Sequence, residues 1–239
     1  MREIVDIIEE VVNGLSFSTE IKTVTDNGND NYTLGVCCTY QVQPKCDVAI
    51  NGIIYPVTDI ENNTSITVDL NGNPVPVVGD NIDIAAPAYF HGTIPAINEE
   101  LDEIQDSGDQ VEAPMVYLFE VISETFNNDE EERIERESVL RLFFLGGADF
   151  DDWYTDDHYK NAIVPMRNLV YEFIKSIDRE QCLFADFDTY TLINHAKFGV
   201  FTDNNGHVSR FFNADLSGVE MRVTLPILKN FACSDACNC

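Results

Sequence analysis

Basic residues are scarce in this 239-residue chain: 14 Lys and Arg face 42 Asp and Glu, a formal net charge of −28 at pH 7. Gripping nucleic acid by its phosphates needs a basic surface, and so does adhering to anionic lipid; both partner classes are disfavoured. No stretch approaches the roughly 20 apolar residues of a membrane span. The start, Met1-Arg-Glu-Ile-Val-Asp6, breaks its apolar pattern with charge and lacks the form of a signal peptide. Seven cysteines are an odd number, and Cys37 and Cys38 are adjacent. With no signal, this leads us to expect reduced thiols in a cytoplasmically made chain rather than a disulfide framework. No repeat of roughly 20 to 50 residues recurs, which argues against solenoids and propellers. HExxH, a GxSxG elbow, a Walker lysine and a GxGxxG turn are all missing.

What is present supports a substantial core. Hydrophobic residues make up 44%, enough for one large or two modest domains. The chain is organised around Leu140 to Ile177. Leu140-Arg-Leu-Phe-Phe-Leu145 is a nearly continuous apolar run closed by Gly146-Gly147, the pattern of a strand buried on both faces. Thr155 is placed to cap a helix, with Asp156 and Asp157 in its first turn. Ile163, Met166, Val170, Phe173, Ile174 and Ile177 recur at helical spacing. Pro165 lies inside that pattern, and we expect it to open a second helix after a short one over 156–162.

Before this stretch, residues 1–15 read as an amphipathic helix ending at Gly14. From Ser16 to about residue 93 the period becomes two. Strands are expected over 16–25, 32–42, 64–68 and 81–84, with a hairpin whose turn is Asn51-Gly52 and another turn at Asn71-Gly72-Asn73. That spacing predicts a small all-β barrel or sandwich. Tyr89 to Gly92 reads as a linker, and 94–104 as a helix or loop. Residues 98–112 are acid-rich and read as an exposed loop, and 114–122 as a buried strand. The charged segment 123–137 reads as a solvent loop, with an acidic contact patch on an assembly as the alternative. After the central helix come a strand at 189–193, a hairpin over 197–212 around Asp203-Asn-Asn-Gly206, and an alternating, half-buried strand at 219–227. The predicted fold is α+β: a mixed or antiparallel sheet on one or two helices. Its domain comprises 1–15 and 96–232, a β module is inserted at 16–95, and a cysteine-bearing tail spans 233–239.

Three clusters invite chemistry. Cys233, Cys237 and Cys239 could hold zinc with Cys182 or a histidine, but their spacing matches no zinc knuckle, and a tail is the favoured reading. Asp149, Asp151, Asp152, Asp156 and Asp157 resemble a cation site, yet lack the glycine and distal glutamate of a calcium loop. His91, His158, His195 and His207 sit in no catalytic motif, and Ser107-Gly108 and Gly146-Gly147 are turns rather than phosphate cradles. The sequence therefore assigns no catalytic, cofactor or metal residue and no enzymatic activity.

A resemblance sharpens the expectation. Val116-Tyr-Leu-Phe-Glu120, a charged excursion, Leu140 to Leu145, a helix with Ile163-Val-Pro-Met-Arg-Asn-Leu169, a hairpin, and a last strand with Leu216-Ser-Gly-Val-Glu220 follow one another in order. Together they resemble head-to-tail connector ring and tail-terminator proteins of tailed bacteriophages, and the asparagine-rich style is similar to virion proteins of crAss-like phages. The resemblance implies a structural homo-oligomeric ring in the virion, stacked on portal, connector or tail neighbours. Genomic DNA would pass through its channel without specific binding, and an acidic lumen suits that. The alternatives are another virion part (tail tube, baseplate or host-binding adhesin) or a carboxylate hydrolase built on Asp149 to Asp157, whose two carboxylates would need to lie roughly 5 to 10 Å apart.

Overall fold

The computed structural model describes residues 2–99, 114–120, 122–129, 133–180, 183–202 and 207–229. The chain is α+β, and its strands form two main sheets. Helix α1 (Ile4–Asn13) buries Ile4, Ile7, Ile8, Val11 and Val12. Gly14 follows it in a right-handed conformation, so it ends the helix without the left-handed cap the sequence suggested.

Seven strands lie within residues 17–84: β1 (Phe17–Glu20), β2 (Thr23–Gly28), β3 (Asn31–Gly35), β4 (Asp47–Ile50), β5 (Ile53–Glu61), β6 (Ser65–Asp69) and β7 (Asn81–Ile84). Their order is β1-β7-β4-β5-β6-β3-β2, all antiparallel. The first and last strands of that order are joined by only Ile21 and Lys22. Ile21 N–H donates to Asp80 O and Lys22 N–H to Gly35 O, so the sheet curls until its ends meet. Asn51 and Gly52 both have positive φ, at 53° and 78°, which is the turn that Asn-Gly favours. The core is almost wholly aliphatic, with Ile21, Leu34, Ile60, Ile66, Val68 and Ile82 at its centre.

The strand expected to reach Val42 stops at Gly35. The loop over 36–46 instead turns inward, burying Gln41 and Gln43. Gln41 Nε2 donates to Ala85 O at 2.7 Å and reaches Leu15 O at 3.5 Å. It thus ties together the two places where the chain enters and leaves the curled sheet.

The second sheet runs β12-β15-β11-β9-β8, with β10 also on β11. Its strands are β8 (Ala88–Gly92), β9 (Met115–Phe119), β10 (Ser123–Phe126), β11 (Ile134–Gly147), β12 (Tyr190–His195) and β15 (Leu216–Leu228). The expected linker at Tyr89 is therefore a sheet edge, β8, parallel to β9. The charged segment read as a loop contributes β10 and the start of β11. Buried Arg136 explains why that segment pairs: its guanidinium donates to Arg2 O, lies 3.0 Å from Glu124 Oε1, and stacks on Phe126. β15 is central rather than half-buried, because β11 and β12 flank it. A two-stranded hairpin, β13 (Val200–Thr202) and β14 (Val208–Arg210), stands apart; its expected turn at 203–206 lies outside the described residues. Residues 94–99 are helical, one of the two readings of 94–104; the remainder of that stretch lies outside the described residues, as does most of the acid-rich loop 98–112.

The central helix is one unbroken path. Helix α2 (Thr155–His158) passes through a π-helical turn, Tyr159–Ile163, into α3 (Val164–Arg179). Pro165 sits in the first turn of α3. It has no N–H to give the carbonyl four residues back, Asn161 O. Gln43 Nε2 takes that place at 3.1 Å. Gly146 makes the approach possible, since a Cβ there would come within 2.0 Å of the Gln43 amide. Gly146 and Gly147 are the last two paired residues of β11, which ends at them as the sequence suggested. Helices α1 and α3 cover one face of the open sheet through Phe144, Phe173, Met166, Leu169, Val219 and Met221.

Candidate functional site

The other face of the open sheet is aromatic. The strand register aligns Phe90, Tyr117, Phe143, Glu220 and Ile193 in one row across β8, β9, β11, β15 and β12. Alternation along β11 puts Arg141 and Phe143 on this side and Leu142 and Phe144 on the helix side. Phe198 and Phe212 close over the row, the Phe198 ring centroid 4.9 Å from Phe143 and 5.2 Å from Phe212. Between them and the mouth residues Phe201 and Phe211 lies a cavity of ≈ 300 Å³, at the small end for ligand pockets. Gly199, with φ 73°, lets β13 pass close to Phe212.

Glu220 is a carboxylate in the middle of the sheet, 2% exposed. Its Oε1 accepts from Arg141 Nε and Arg222 Nε, both at 2.6 Å, and its Oε2 lies 3.1 Å from His195 Nε2. Burial works to raise its pKa, and the hydrogen bonds from Arg141, Arg222 and His195 overcome that, leaving it pushed down to about 2. The carboxylate is therefore ionised at neutral pH and serves as an anchor, not as a proton donor. Arg141 lies over the rings of Phe119 and Phe143, at 5.3 and 5.1 Å. Lys197 donates to Phe150 O at 2.9 Å. Tyr117 gives its phenol proton to Gly92 O, and burial holds its pKa up to about 12.

Of the residues singled out in the sequence, only His195 is part of this cluster. His158 is 2% exposed beneath Phe150 and Trp153. Ser217 Oγ donates to Ala196 O, so it accepts from His158 Nδ1 at 2.9 Å. That leaves Nε2 bare and without a partner among the described residues. Burial, with Lys197 nearby, lowers its pKa, so it stays neutral and pins α2 to β15. His91 is exposed and stacks on Tyr89; His207 is exposed.

The aspartates serve the backbone. Asp149 Oδ1 accepts from the N–H groups of Asp151 and Asp152, and Oδ2 accepts from Lys45. Asp157 accepts from Tyr154 N–H at 2.9 Å, which makes Tyr154 rather than Thr155 the residue before the helix. Among the described residues no three His, Cys, Asp or Glu side chains gather as a metal site requires. Cys182, Cys233, Cys237 and Cys239 lie outside those residues, as does the tail over 233–239. Cys37 and Cys38 are free thiols, and the Cys46 thiol donates to Gln43 O at 2.8 Å. No helix among the described residues is long and apolar enough to cross a membrane.

The sequence reading missed Arg141, Glu220 and Arg222 as a group. The available signal was Arg141 inside the apolar run Leu140 to Leu145, and Glu220 and Arg222 inside the largely apolar segment 216–228. No protein family model matches the chain, and no curated protein matches it.

Proposed function

We propose that the chain is a structural virion subunit that closes into a homo-oligomeric ring in the head-to-tail connector or tail of a tailed phage, around the DNA channel. Its role in this reading is assembly rather than catalysis. The observation that carries it is the free edge of the open sheet. Strand β12 (Tyr190–His195) pairs only with β15 among the described residues, and its six positions hold no Lys, Asp, Glu or Pro. Soluble proteins guard such an edge with charge or proline unless another chain completes it. The net charge of −28 supports a channel wall past which DNA slides. The resemblance of residues 114–227 to connector and terminator proteins supplies the place in the particle.

A second observation supports the alternative of a tube, baseplate or adhesin element. Val75, Val77 and Val78, on the loop between β6 and β7, are 45%, 59% and 61% exposed. They form an apolar contact surface on the curled sheet.

The test is the mass of the purified chain by light scattering, with negative-stain imaging of the largest species. Closed rings whose hole admits duplex DNA are expected, either from the chain alone or after it meets its portal or tail neighbour. A chain that stays monomeric in both conditions and is missing from purified particles overturns the proposal.

A further inference from the structure

The cavity between the aromatic row and the β13–β14 hairpin is segregated by charge. In a chain with three times as many acidic as basic residues, its lining among the described residues includes Arg141, His195 and Lys197 and no Asp or Glu. The carboxylate of Glu220 beneath it is already taken up by Arg141, Arg222 and His195. Two arginines against one glutamate leave the cluster cationic, and Lys197 adds to it.

Arg141 is held in place rather than neutralised. Its Nε is fixed by Glu220, and its guanidinium lies over Phe119 and Phe143. Its two Nη groups meet no protein acceptor among the described residues, and 41% of the side chain is exposed. A guanidinium locked at one nitrogen with its outer fork free is pre-organised for an incoming carboxylate. The space beside it is walled by ring faces, which suit a flat apolar body.

We propose that this cavity binds a small organic anion with an aromatic body, an aryl carboxylate in the simplest case. Arg141 and Lys197 meet the carboxylate, and Phe143, Phe198 and Phe212 enclose the ring. The site belongs to the single chain, so it stands or falls separately from ring assembly.

Calorimetric titration of the full chain with phenylacetate, and with its neutral near-isostere phenylacetamide, tests the proposal. The acid is expected to bind about tenfold or more tightly than the amide. Arg141→Met is expected to abolish that preference, and Lys22→Met, a remote surface change on the curled sheet, to leave it intact. Should Arg141→Met fail to fold, Lys197→Met and Phe201→Glu decide. The first removes a cation and the second places a carboxylate at the mouth, so each is expected to weaken the acid severalfold while sparing the amide. Equal affinity for acid and amide, no saturable binding of either at about 10 mM, or variants that keep the full preference would overturn the assignment.

Discussion

The curled sheet over residues 17–84 and the open sheet over residues 88–228 are both largely antiparallel, yet they finish differently. The curled sheet joins its own ends through Ile21 and Lys22 and fills its interior with aliphatic side chains. The open sheet leaves the outer edge of β12 without a partner strand among the described residues. It carries aromatic rings on both faces and places one charged carboxylate at its centre. Curling brings the end strands together and leaves little open edge between them for a partner or ligand to complete. Openness leaves an edge, a cavity and a cationic cluster that are stable but chemically unfinished. The features that suit recognition therefore collect on one sheet, while the other supplies a rigid body and an exterior surface.

The largest effect we expect comes from cutting a large hole in the core of the open sheet, set against a small one in the curled core. Phe144 meets Phe173 edge to face with centroids 5.4 Å apart, and both are fully buried. Phe144→Ala should cost about 3–5 kcal/mol, and Ile66→Val in the curled core about 1 kcal/mol. Urea unfolding followed by Trp153 fluorescence and by far-ultraviolet circular dichroism checks both. Coincident transitions in each variant would mean that the sheets unfold together. A curled sheet that survives after Phe144→Ala has melted the other would make the contrast between them thermodynamic as well as architectural.

The next effect distinguishes the sheets by pH. Glu220 has a folded pKa of about 2, below the roughly 4.3 of an unfolded glutamate. A depressed folded pKa contributes stability that is complete above about pH 5 and lost as the pH falls through 4 toward 2. Solvent around the half-exposed Arg141 and Arg222 trims the value, leaving about 2–3 kcal/mol. Protonating the other carboxylates of so acidic a chain relieves repulsion and acts in the opposite direction. The difference between the parent chain and Glu220→Gln isolates the single group. We expect the variant to be weaker at pH 7, the gap to fall to roughly half by pH 3 and to close near pH 2; a gap undiminished at pH 3 would assign the loss to packing rather than to charge.

Much of this architecture is legible in the sequence, because periodicity reports faces. Helix α1, the Asn51-Gly52 hairpin and the apolar stripe of α3 follow directly from spacing and turn chemistry. What spacing does not report is who pairs with whom. Glu124 and Arg136 read as surface charge, although they meet across β10 and β11 and Arg136 is buried. Glu220 reads as the polar side of an alternating strand, because the arginine and histidine that claim it lie on two other strands. Gly146 does close its strand, but the room it leaves for Gln43 goes unread because that side chain is about a hundred residues away. Each miss is a side chain whose environment is set by a distant element rather than by its own neighbours.

The same distant pairing supplies the smallest predicted effect and the most direct test of how the two sheets are held together. Three contacts at the rim join them: Lys45 to Asp149, Lys160 to Asp59, and Asn168 to Asn62. Exposed ion pairs of this kind contribute roughly 0–1 kcal/mol each and fade with salt. Gln43 differs because its amide is buried and satisfies the carbonyl that Pro165 cannot. Gln43→Ala strands Asn161 O, at a cost of about 1–3 kcal/mol that salt leaves unchanged. Pro165→Ala restores an N–H to the helix and gives Asn161 O a second possible donor. In the double variant the loss from Gln43→Ala should therefore shrink. If Gln43→Ala costs the same with and without Pro165, the bond matters through packing over Gly146 rather than through the missing helix donor. Gly146→Ala, which crowds the same amide, would then reproduce the loss in full.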